Sequence, residues 1–228
     1  MSKGMTLIEF VIVLLLGSLI MLSVSSVYIA VAWAYGSHRS DWVCMQSLRT
    51  AMLMLDRDIE ECSYLLPHDL KVVYSGNKLF VAGLPLAADH KGLKINSSYA
   101  PPYYSIVSSE NRNSIVLDTL DIDTDGKPDY IAGHGIISDS GAYEIINSYS
   151  RGHSPIPLKE GTPEPGDRTV PAVLYQVSGD GLYRNNQLVS ENITGFSVKL
   201  TGSELNIIMR AKRNETAKEI SFNYCLGE

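Results

Sequence analysis

Charged side chains are missing from Phe10 to Tyr35. That gap of roughly 26 residues exceeds the ~20 that cross a bilayer as a helix, and it excludes an ordinary soluble N-terminus. The same stretch has no proline, and Gly17 is its only glycine, so one unbroken helix is expected. Cysteine is scarce, with three in 228 residues, so a disulfide framework is not what holds the fold. Lysine and arginine are outnumbered, and a net charge of -6 argues against nucleic acid as the main partner. No repeat at a solenoid period and no long low-complexity tract is present. The histidines at 38, 68, 90, 134 and 153 show neither H-E-x-x-H nor zinc spacing, and G-x-S-x-G is absent. An enzyme is therefore not expected, and a membrane-tethered one is the weakest reading.

The length suits one domain plus an appendage, with enough chain to bury a core. A secretory signal peptide fits the N-terminus poorly. The apolar stretch is longer than such peptides use, and no small-x-small cleavage site follows it. Lys3 favours a cytoplasmic N-terminus and an outward C-terminal bulk. Glu9 is the anomaly, because a carboxylate at the membrane end of an apolar helix is costly and asks for a partner.

The segment Lys3-Gly4-Met5-Thr6-Leu7-Ile8-Glu9-Phe10, followed by a long apolar helix, resembles the N-terminus of type IV prepilins and type II secretion pseudopilins. The resemblance implies cleavage by a prepilin peptidase between Gly4 and Met5, then N-methylation of Met5. Phe is usual at that first mature position, so Met5 is a departure. The family role of the glutamate falls on Glu9, which would pair with the Met5 amine of a neighbouring subunit and set the axial stagger.

Beyond the apolar run, Trp42, Met45, Leu48, Met52, Leu55, Ile59 and Cys62 follow three- and four-residue steps, so an amphipathic continuation is predicted up to Pro67. Short β-type runs follow. Residues 72–74 and 79–81 flank a Ser75-Gly76-Asn77 turn; 103–107 and 114–120 are further strands; 151–171 is an irregular loop. A meander covers 172–177, 182–184, 195–200, 205–211 and 219–226. The Leu182-Tyr183-Arg184 hairpin and the helix sequence Leu55-Asp56-Arg57-Asp58-Ile59 resemble those of PilW-like minor pilins and of the J-type pseudopilin. The expected fold is α+β: a leader at 1–4, a transmembrane or filament-core helix at 5–36, its amphipathic continuation at 37–66, and an antiparallel β-sheet head at 67–228.

Asp121, Asp123, Asp125 and Asp129, with the carbonyl of Lys127, place oxygens at alternate positions around Gly126, as a calcium loop requires. The twelfth position is Ala132 and not glutamate, so the loop is no EF-hand. The alternative is an acidic turn with solvated carboxylates. Cys62 and Cys225 are a candidate disulfide in an oxidising compartment, against three small buried hydrophobes.

The resemblance implies a minor pilin of a type IV pilus or, as the alternative, a J-type minor pseudopilin. Its partners would be the peptidase, other pilins or pseudopilins, an inner-membrane assembly platform and, before assembly, lipid. It would sit in the bacterial inner membrane with its head outward, then in an extracellular or periplasmic filament.

Overall fold

A computed structural model describes residues 7–62, 70–83, 104–122 and 126–226. The leader and cleavage junction at Gly4 and Met5, residues 63–67, the start of the strand expected at 103, and Asp123 and Asp125 lie outside the described residues.

One helix, α1, runs unbroken over Leu7–Cys62. Its 56 residues make a rod about 84 Å long at 1.5 Å per residue. The N-terminal half carries its large apolar side chains exposed, from Leu7 through Tyr35. The C-terminal half buries Cys44, Ser47, Leu48, Ala51, Leu55, Asp58, Ile59 and Cys62. Leu48, Leu55, Ile59 and Cys62 of the predicted stripe lie in this seam, and the stripe's other three positions do not. Trp42 is 65% exposed, while Met45 and Met52 are only half-buried. The reason is steric: Cys44, Ser47 and Ala51 are small, and a sheet packs closest where the helix presents little side chain.

Thirteen strands follow among the described residues. They are β1 (Val72–Ser75), β2 (Lys78–Ala82), β3 (Ser105–Asn111), β4 (Ser114–Leu117), β5 (Gly135–Ser138), β6 (Gly141–Glu144), β7 (Ile156–Pro157), β8 (Arg168–Ser178), β9 (Gly181–Arg184), β10 (Gln187–Glu191), β11 (Ile193–Thr201), β12 (Glu204–Arg213) and β13 (Thr216–Cys225). All pairings are antiparallel. The layout is thus a long apolar N-terminal helix packed on antiparallel sheets.

The larger sheet is organised by β8, which pairs with β2, β3, β5 and β9. Its N-terminal end falls within the expected loop, and Pro171 lies inside the strand. The Pro171 carbonyl accepts the Gly83 N–H, which puts its missing donor on that same side, in the gap between the end of β2 at Ala82 and the start of β3 at Ser105. There a proline costs no ladder hydrogen bond. The turns use asparagine in the left-handed region: Gly76-Asn77 joins β1 to β2, and Asn185-Asn186 joins β9 to β10, with positive φ at both residues of each.

The smaller sheet is β11-β12-β13. Leu205, Ile207, Met209 and Ala211 of β12 are buried, and on β13 their cross-strand partners are Tyr224, Phe222, Ile220 and Lys218. The intervening positions, Asn206, Ile208, Arg210, Glu219, Ser221, Asn223 and Cys225, belong to the opposite, largely polar face. The α1 seam, β12 and the inner residues of β2, β8 and β9 form one core. A second core around Tyr130, Ile136, Ile145 and Ile156 supports the outer strands.

Candidate functional site

The first candidate is the exposed half of α1. Nothing among the described residues covers it; the helix is apolar and long enough to cross a membrane. Three of its serines are satisfied within the helix. Ser18, Ser23 and Ser26 donate their hydroxyls to the carbonyls of Leu15, Leu19 and Ser23, at 2.8, 2.9 and 2.8 Å. That arrangement suits apolar surroundings, where an unsatisfied hydroxyl would be costly. Glu9 stands in the first turn, where a carboxylate faces the positive end of the helix dipole.

The second feature is a clamp between helix and head. Asp58 is 5% exposed despite lying in a charged run. Arg184 of β9 donates Nε and Nη2 to its two oxygens at 2.6 and 3.0 Å, and the Tyr175 hydroxyl of β8 donates to Oδ2 at 2.5 Å. Burial, followed by the Asp58 charge, pushes the Tyr175 phenol well above its ordinary range, so it stays a donor. Ser190 of β10 adds a hydroxyl bond to the Ser47 carbonyl at 2.8 Å. Buried Lys71 donates to the Leu226 carbonyl at 2.6 Å, fixing the residue that follows β13 to the entry of β1. Sequence reasoning missed Asp58 and Lys71 as structural groups. The segments holding Asp58 and Arg184 were singled out, but nothing in either signalled that they meet.

The acidic loop is described in part. Asp129 is buried and its Oδ2 accepts the Ile122 N–H at 2.6 Å, while Asp121 Oδ2 accepts the Gly126 N–H at 2.8 Å. Gly126 has φ +84°, as the sharp turn requires. These bonds close the loop end to end. Among the described residues, no group of three or more His, Cys, Asp or Glu side chains is placed to hold a metal ion. Asp123 and Asp125 are outside that set, and the donor chemistry rests on them.

The candidate bridge between Cys62 and Cys225 is not formed, and Cys44, Cys62 and Cys225 are all free thiols. Strand alternation explains it. Tyr224 faces the helix, so Cys225 falls on the outer face and is exposed, whereas Cys62 is buried in the α1 seam. Burial pushes the Cys62 thiol up to about 12.

His134 lies between β-strands of the head, 3.4 Å from Asn185 Nδ2 through its Nδ1. Burial lowers its pKa to about 4, assisted by the charges of Arg184 and Arg151.

A comparison with family models, curated proteins and solved structures found no match to this chain.

Proposed function

We propose that this chain is a structural subunit of a type IV pilin-like filament, of the minor-pilin kind, held in a membrane by α1 before assembly and acting by packing. The observation that carries the reading is the exposed apolar half of α1, with the carboxylate of Glu9 in its first turn. Such a surface needs either lipid or other copies of the same helix around it. A buried carboxylate in a helix bundle is stabilised only by a counter-charge, which the amine of a processed Met5 on a neighbour would supply. The resemblance of residues 3–10 to prepilins supplies that cleavage step. The looser resemblance in the Asp58 and Arg184 segments extends to the J-type pseudopilin, which is the second reading.

The test is expression of the full chain beside a prepilin peptidase, with mass spectrometry of the product. A mature N-terminus at a methylated Met5 is expected. Glu9→Val should be cleaved and inserted normally yet enter filaments poorly. An intact Met1 in filaments, or full assembly of the variant, refutes the reading.

A further inference from the structure

Where the head meets the emerging helix there is a cavity of about 570 Å³. Trp33, Gly36 and Ser37 of α1 form one wall, and Asn214, Glu215 and Thr216 of the β12–β13 turn form the other. The turn is docked: Asn214 Nδ2 lies 3.4 Å from the hydroxyl of buried Ser40, and the Cys44 thiol meets the Thr216 carbonyl at 3.9 Å. The space beside Gly36 is open, since a Cβ built there would meet nothing within 4 Å.

We infer that this cleft binds the headgroup of a glycerophospholipid carrying a primary ammonium. The inference rests on the membrane-anchored reading of α1. Position identifies the occupant. From Phe10 to Trp33 the helix climbs about 35 Å, and the hydrocarbon core of a bilayer is about 30 Å thick. Trp33 and Tyr35, both exposed, therefore lie in the headgroup layer, where such rings collect. The cleft opens at that level, beside the apolar surface that the acyl chains would cover.

Charge selects the headgroup. Glu215 is the charged group in the lining, and it makes no hydrogen bond or ion pair with the described residues. It offers a carboxylate to an ammonium, and the Trp33 face offers a cation–π contact. Ser37 and Thr216 supply hydroxyl acceptors for the remaining N–H groups. Arg39, Lys212 and Arg213 flank the lining residues along the chain, where a lipid phosphate would meet positive charge.

The experiment uses the full chain in nanodiscs of equal phosphatidylethanolamine, phosphatidylcholine and phosphatidylglycerol, followed by native mass spectrometry of retained lipid. Phosphatidylethanolamine should be retained about threefold or more over each of the others. Glu215→Gln should remove that preference, as should Gly36→Leu, which fills the cleft and keeps every charge. Glu204→Gln, at the far end of β12, should leave it intact. Equal retention in the parent, or an excess of phosphatidylglycerol, overturns the inference while leaving the anchor standing. Failure to enter any disc overturns both.

Discussion

Asp58 and Arg184 are 126 positions apart in the chain and meet through two hydrogen bonds at 2.6 and 3.0 Å, one to each carboxylate oxygen. Helix and head are joined there by a charged pair with fixed geometry, beside a seam of small and apolar side chains. Such a pair sets the axial position of the helix on the sheet, which apolar contacts alone define loosely.

Asp58→Ala should therefore destabilise the head strongly, by about 3 kcal/mol, because it strands Arg184 and the Tyr175 hydroxyl. Asp58→Ala combined with Arg184→Ala should cost less than the sum of the two single changes. Urea unfolding of the four proteins in detergent measures the coupling. Strict additivity would show that the pair contributes nothing.

Thiol accessibility checks the placement of the cysteines. In the native protein at mild alkaline pH, a maleimide should label Cys225 alone, since Cys44 and Cys62 are buried and burial raises the pKa of both. Denaturant should bring the count to three. A Cys62–Cys225 peptide found under non-reducing conditions would contradict this placement.

His134 makes stability depend on pH in a stated direction. Its pKa is lowered to about 4 from 6.5, so below pH ~6.5 the unfolded chain binds a proton that the folded chain refuses. Its contribution is complete above that pH and is lost as pH falls toward 4, by roughly 1.4 kcal/mol per unit at the steepest. His134→Gln should flatten this part of the profile. A parent and variant with parallel profiles between pH 7 and 4 would remove His134 as the cause.

Calcium separates the two readings of the acidic loop. On the cation reading, calcium at tenfold its dissociation constant adds about 1.4 kcal/mol, seen as a higher melting temperature. Asp123→Asn with Asp125→Asn should abolish the gain and leave the calcium-free fold intact. Superimposable melts in calcium and in chelator would leave the acidic turn.

What the sequence discloses about this chain divides by range. The apolar run, the hairpin over 72–82 and the strands after 193 are local patterns with periods of 3.6 or 2, and they are legible. The buried face of α1 is less so. The stripe finds Leu48, Leu55, Ile59 and Cys62, but small residues such as Ala51 and Ser47 complete the seam, and the stripe passes over them to choose Trp42. The pair β5–β6 escaped because four-residue strands around Gly135 and Gly141 give too short an alternation. Asp58 escaped for a different reason. Inside Leu55-Asp56-Arg57-Asp58-Ile59 it looks like one more solvated charge, and only β9, brought from far along the chain, marks it as buried.

The unbroken length of α1 has a mechanical consequence. A pull along the rod reaches the head through Leu48, Ala51, Leu55 and Ile59 at once, with Asp58 among them. Those contacts are loaded side by side in shear and must slip together, whereas a force peeling the helix sideways would break them in turn. The subunit should accordingly bear tension along its own axis far better than across it.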